Sequence, residues 1–198
     1  CYDVLPLSAT RLAISVADVC GKGLAAALLM SNLQASVRAF ATSHCTPAQL
    51  AANANASLLR NGGLRRFVTF FYGVYDSATR ELTFANAGHN PPIVVGADGR
   101  VRRLTAGGMV LGVFEATTVE QQHVHLTPGD RLVLFTDGIV EAEGPGNEEF
   151  GDGRLSGIVV RRRAATAAAL VDRIFAEVTD FAGGPLQDDA TVVVLAVE

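Results

Sequence analysis

Between Arg11 and Ala41 the apolar period changes once, and the change falls on an aspartate. Leu12, Ile14 and Val16 alternate with smaller or polar residues, the pattern of a half-buried strand. From Leu24 onward, Leu24, Leu28, Leu29, Leu33, Val37 and Phe40 recur at helical spacing and predict one broad buried face. Between the two segments lies Asp18-Val19-Cys20-Gly21-Lys22-Gly23, a tight turn with glycines on either side of a lysine. A carboxylate at such a junction is exposed enough to meet a ligand and rigid enough to be aimed, because burial pins both flanking elements. An Asp-x-x-Gly turn also serves as a plain cap, so Asp18 alone does not decide between the two roles.

With 198 residues, 49% of them apolar, the chain is expected to form a single domain over 1–198 with a sizeable core. The net charge is −4, and basic residues cluster only in short runs at Arg65-Arg66, Arg102-Arg103 and Arg161–Arg163, which argues against a nucleic-acid partner. No apolar run approaches a membrane span and no signal-peptide pattern occurs, so a soluble, cytoplasmic protein without membrane contact is expected. Cys1, Cys20 and Cys45 form no CxxC pair and fit a reducing compartment. His123 and His125 have no cysteines beside them and read as structural or surface histidines on a strand, not as zinc ligands.

Cys1–Leu5 starts as though a strand were entered part-way, which suggests an excised domain with a preceding segment. Thr46-Pro47 predicts a capped helix start with Leu50, Ala54 and Leu58 on the buried face, ending at Asn61-Gly62-Gly63. A β region follows: Phe67–Asp76 with Glu81–Ala87, then Ile93–Val95 with Val101–Leu104 around Asp98-Gly99, then Met109–Phe114 and Val119–Leu126. Arg131–Thr136 is almost wholly apolar and predicts a strand covered on both faces, delivering Asp137-Gly138 at its end. Glu143–Gly153 reads as a mobile loop, Leu155–Arg163 as a weaker helix, and Thr166 as the cap of a helix carrying Leu170, Ile174, Val178 and Phe181. Gln187–Thr191 leads into a last strand, Val192–Val197. Helices early and late around an antiparallel middle predict an α+β layered domain.

Asp18, Asp137 and Asp188-Asp189 all stand at strand boundaries, and if those strands are neighbours their carboxylates converge. An all-oxygen donor set implies a hard cation, Mg²⁺ or Mn²⁺, with the Val19 carbonyl as a further donor. Two such ions can share a water, lower its pKa and direct it at phosphorus. Competing chemistries lack their residues. Six positions after Cys1, Cys20 and Cys45 stand Leu7, Ala26 and Ala51, not the arginine of a cysteine phosphatase. No Asp-x-Asp, Gly-x-Ser-x-Gly or P-loop pattern supports the other routes.

The run Asp18-Val-Cys-Gly-Lys-Gly23 with Ala25–Met30, then Asn86-Ala-Gly-His-Asn-Pro-Pro92, Thr136-Asp-Gly138 and Asp188-Asp-Ala-Thr191, occurs in that order along essentially the whole chain. As an ordered set it resembles the SpoIIE/RsbU-type bacterial branch of the PPM metal-dependent serine/threonine phosphatases. The resemblance implies a four-layer αββα sandwich of two mainly antiparallel sheets flanked by helices, with two Mn²⁺ or Mg²⁺ ions at one end. It implies Asp18, Asp137 and Asp188 as metal ligands that act on substrate through metal-bound water, together with the Val19 carbonyl. Asp189 is either the ligand by a one-residue shift or the group that orients its neighbour. Asn86, His89 and Asn90 match a turn held by side-chain hydrogen bonds, with His89 as acid to the serine leaving group and Asn90 as a substrate contact the sharper alternatives. Lys22 either meets substrate phosphate or is a solvated lysine at a helix start. Thr191 is expected to bond backbone near the last aspartate.

Two positions depart from the pattern: Ala17 stands where glycine is usual, and Gly-Gly-Asp is missing before Tyr2-Asp3. Asp3 fits the second acidic position of that opening motif and is a further metal candidate. The function implied is a phosphoserine/phosphothreonine protein phosphatase acting on a phosphorylated anti-anti-sigma-type regulator in a partner-switching pathway. An N-terminal sensor module would signal through helix 24–41, and a homodimer is compatible with this. The competing expectation is a non-catalytic interaction or dimerisation module of the same fold.

Overall fold

The computed structural model describes residues 1–42, 44–61, 66–105, 107–115 and 119–198. The chain divides into two compact units: Cys1–His89 with Ala106–His125, and Asn90–Thr105 with Leu126–Glu198.

The first unit holds an antiparallel sheet of β1 (Tyr2–Pro6), β2 (Arg11–Val19), β3 (Val68–Asp76), β4 (Glu81–Ala87) and β7 (Gln121–His125), in that spatial order. Helices α1 (Leu24–Phe40) and α2 (Pro47–Asn61) pack on it, burying Leu33, Val37, Leu50 and Leu58 against Ala13, Ala17, Phe70 and Tyr72. Helix α2 begins as its sequence predicts: Thr46 and Gln49 exchange side-chain bonds with each other's amides, a reciprocal cap. Its predicted end at Gly62-Gly63 and the basic residue Arg65 lie outside the described residues.

Three expectations fail in this unit. β2, an interior strand between β1 and β3, is buried on both faces from Ala13 to Ala17 and not half-buried. Leu24 and Leu28 are 77% and 62% exposed, not buried. At about 100° per residue they fall opposite the stripe of Ala26, Leu33 and Val37 that meets the sheet. Met109–Phe114 is not a strand either. Leu111 makes an isolated bridge to Val68, while Asn55 accepts from the Gly112 amide (2.8 Å) and donates to the Phe114 carbonyl (2.9 Å). The side chain of α2 thus takes polar groups that a ladder would need. On β7, His123 is exposed and bonds Thr83 and Glu81, and His125 is exposed as well.

The second unit holds a smaller antiparallel sheet, ordered β6 (Val101–Arg103), β5 (Ile93–Val95), β8 (Arg131–Phe135), β9 (Val192–Ala196). A short α3 (Asp137–Val140), α4 (Gly151–Arg161) and α5 (Ala167–Ala182) accompany it. Leu155, Ile158, Leu170, Ile174 and Val178 pack with Ile93, Val133 and Phe135 into one apolar cluster. Leu132 to Phe135 are all buried, as the unbroken apolar run of β8 predicts. The Thr166 hydroxyl accepts from the Ala169 amide at 3.3 Å, and Gly183, at φ +69, closes α5 in the left-handed region. The expected loop at 143–153 is shorter than its composition suggests: Glu143 bridges Glu149, and α4 starts at Gly151. Among the described residues, no helix is long and apolar enough to cross a membrane.

Candidate functional site

In the first unit, Asp18 sits at the penultimate position of β2, half-buried and paired across the ladder with Thr69. The Thr69 hydroxyl lies 2.9 Å from Nδ1 of His89 and 3.5 Å from the Asp18 carbonyl. That hydroxyl has one proton, so when it donates to Asp18 the histidine must donate from Nδ1. His89 itself is buried in a turn closed by Asn86, whose Oδ1 accepts from the His89 amide (2.8 Å) and whose Nδ2 donates to the His89 carbonyl (3.0 Å). Asn86 therefore does the holding, while Asn90 lies half-buried just beyond, at the start of the second unit.

Past Asp18 the backbone turns through Gly21 at φ +95, a region in which a side chain is strained. The Cys20 amide donates to the Phe67 carbonyl at 3.0 Å, and Nη1 of Arg66 donates to the Cys20 carbonyl at 3.0 Å. Lys22 is exposed in this loop. Asp3 lies opposite Ser15 and meets Arg38 of α1, whose Nε donates to it at 2.6 Å. Asp3 is thus engaged by a cation of its own unit.

In the second unit the two acidic stretches are brought together. Asp137 opens α3, and its Oδ1 accepts from the Gly138 amide at 2.9 Å. The Thr136 hydroxyl accepts from the Thr191 amide (2.9 Å) and donates to the Asp189 carbonyl (3.2 Å), while the Thr136 amide donates to the Thr191 carbonyl (3.1 Å). Asp188 folds back so that its Oδ1 accepts from the Asp189 amide at 2.9 Å. Burial, then the negative charges of Asp137, Glu149 and Asp188, push the Glu141 carboxyl above its ordinary value. The carboxylates of Asp137 and Asp188 both act on Glu141, and oxygen donors of this kind suit a hard divalent cation. Among the described residues, no three His, Cys, Asp or Glu side chains form a ready metal cage.

The family described as Stage II sporulation protein E (SpoIIE) matches residues 8–198. The chain belongs to the SpoIIE family. Within reach of it by sequence is the phosphoserine phosphatase RsbU of Bacillus subtilis (strain 168), 32% identical over 92% of this chain. The chain spans 54% of the length of RsbU. The SiaA PP2C domain of Pseudomonas aeruginosa superposes with a TM-score of 0.87 at 21% identity, over 100% of this chain and 80% of that one. RsbX, solved in complex with magnesium, superposes at 0.73 and 14% identity, over 98% of this chain and 84% of that one. The SpoIIE-family chain therefore has the α+β fold of the PPM phosphatases, as its ordered motifs imply.

No sequence motif of this SpoIIE-family chain marks Arg66, Thr69, Glu141, or Thr136 in its bridging role. Thr69 was readable only as one polar step in a strand, and Arg66 only as half of a basic pair. Thr191 makes its contacts to Thr136 with its own amide and carbonyl.

Proposed function

We propose that this chain is the catalytic domain of a metal-dependent phosphoserine/phosphothreonine protein phosphatase. Its substrate would be a phosphorylated anti-anti-sigma-type regulator in a partner-switching pathway. The reading is carried by the acidic rim of the second unit, where Thr136 ties the segment before Asp137 to the segment after Asp188 and both aspartates act on Glu141. The likeness to RsbU, a phosphoserine phosphatase, supports the substrate class.

The ligands assigned are Asp18, the Val19 carbonyl, Asp137 and Asp188, holding two Mn²⁺ or Mg²⁺ ions. When bound, such ions lower the pKa of a coordinated water and neutralise charge developing on the phosphoryl group. The chain's own residues do the rest. Thr69 and Asn86 fix the backbone at Asp18 and His89. Lys22, exposed beside the turn, is assigned to the substrate phosphate, and Asp189 to orienting Asp188, whose carboxylate already accepts its amide. Asp3 is not assigned a metal, because Arg38 occupies its carboxylate.

Phosphate release from a serine-phosphorylated anti-anti-sigma protein tests the proposal. It should require Mn²⁺ or Mg²⁺ and disappear in Asp18→Asn and Asp137→Asn. Release that survives these substitutions or chelation would overturn it. The engagement of Asp3 by Arg38, which takes up the carboxylate of the opening motif, favours a second reading, a non-catalytic module of the same fold. Calorimetry separates the two, since that module would take up no Mn²⁺ at millimolar concentration.

A further inference from the structure

We infer that Arg66 is a positioning residue for the ligand loop: it holds the peptide that follows the Val19 carbonyl, so that this carbonyl and Asp18 face the metal. The inference rests on the metal reading above and adds to it a residue outside the shared motifs.

The geometry begins with the planarity of the peptide unit. The Val19 carbonyl and the Cys20 amide belong to one plane and point in opposite directions. Because that amide donates to the Phe67 carbonyl at 3.0 Å, the Val19 oxygen is turned away from β3. The next plane carries the Cys20 carbonyl and the Gly21 amide, and Nη1 of Arg66 holds that carbonyl at 3.0 Å. Two consecutive planes are thus pinned from adjacent residues, Arg66 and Phe67.

The same placement of the guanidinium shows in the space beside the loop. A Cβ built on Gly21 would lie 2.1 Å from Nη1 of Arg66, so the guanidinium fills the space beside the glycine. Residue 21, with no side chain, leaves that space to the guanidinium and accepts φ +95. Without Arg66 the Cys20 carbonyl turns to solvent, and the 20–21 plane is free to rotate and carry the 19–20 plane with it. Residues that orient metal ligands from behind commonly change metal affinity by roughly 10–100-fold.

The opposite sign is available to a competing role. Arg66 is a cation near a proposed cation site, so if it acted through charge alone its removal would strengthen metal binding. The experiment compares wild type, Arg66→Ala and Arg66→Lys by calorimetric Mn²⁺ titration and by amide exchange in the metal-free protein. Expected is an Mn²⁺ affinity roughly tenfold weaker in Arg66→Ala, faster exchange at the Cys20 amide with the rest of β2 unchanged, and recovery of most of both in Arg66→Lys. Unchanged or tighter Mn²⁺ binding in Arg66→Ala, with exchange at Cys20 as in wild type, would overturn the inference. Wild-type protein that takes up no Mn²⁺ would overturn the metal reading and the ligand role of the loop with it, whatever the exchange shows. Should Arg66→Ala not fold, the same two measurements on Arg66→Gln, which keeps a donor but not the charge, decide between holding and charge.

Discussion

Thr136 and Thr191 are bonded twice, amide to carbonyl at 3.1 Å and amide to hydroxyl at 2.9 Å, which brings the chain after Asp188 beside the chain before Asp137. The hydroxyl is buried and also donates to Asp189. Thr136→Val keeps the shape but leaves the Thr191 amide without that acceptor, at a cost of about 1–3 kcal/mol. Urea unfolding should register that loss, with weaker Mn²⁺ binding beside it, whereas Thr136→Ser should retain most of both.

Gly138 meets the same stretch from the other side. A Cβ there would stand 2.6 Å from the Asp189 carbonyl oxygen, a backbone atom that cannot swing away as a side chain can. Gly138→Ala should push the Asp188-Asp189 segment out, destabilising by about 1–3 kcal/mol. Its Mn²⁺ affinity by calorimetry should fall while far-UV circular dichroism stays that of the wild type.

Glu141 supplies a pH dependence whose sign is fixed by its surroundings. Its carboxyl is raised by burial and by Asp137, Glu149 and Asp188, so the folded state binds its proton more tightly than the unfolded chain does. Its contribution therefore favours folding most at low pH and is lost as pH rises from the ordinary carboxylate value of 4.5 through the raised one. In Glu141→Gln, metal-free protein should melt higher than wild type at about pH 7, with the difference closing by about pH 4. A difference that grows toward low pH would contradict this.

Tyr72 is 1% exposed on β3, and its hydroxyl finds no hydrogen-bond partner among the described residues. Burial first, then the charge of Cys45, pushes the phenol from 10.0 up to about 12. The neutral phenol is thus favoured in the fold, and stability is lost as pH rises through the window from 10.0 to about 12. Tyr72→Phe should be neutral or about 1 kcal/mol stabilising near neutral pH. Its advantage should widen in alkaline urea titrations.

Much of the fold was legible because it is local. The Thr46 and Thr166 caps and the Gly183 stop each act within a few residues of themselves, and the structure keeps them, whereas the alternation before Asp18 marks the strand but not its burial on both faces. Met109–Phe114 was misread because its apolar content resembles a strand while its backbone partner is a side chain on α2, more than fifty residues earlier: Asn55. Helix α3 is four residues long, too short to leave a period in the sequence. The outward turn of Leu24 and Leu28 follows from which stripe of α1 meets the sheet, that of Ala26, Leu33 and Val37, a choice that leucine spacing alone leaves open.

For the site the division is similar. The order of Asp18, Asp137 and Asp188 with their glycines, and with it the family and the proposed chemistry, can be read from the chain itself, because those residue types occupy turns whose requirements are local. The neighbours that steady those turns came only from the tertiary structure. Arg66 reaches Cys20 across 46 residues and Thr136 reaches Thr191 across 55, and such contacts exist only once β2 lies beside β3 and β8 beside β9.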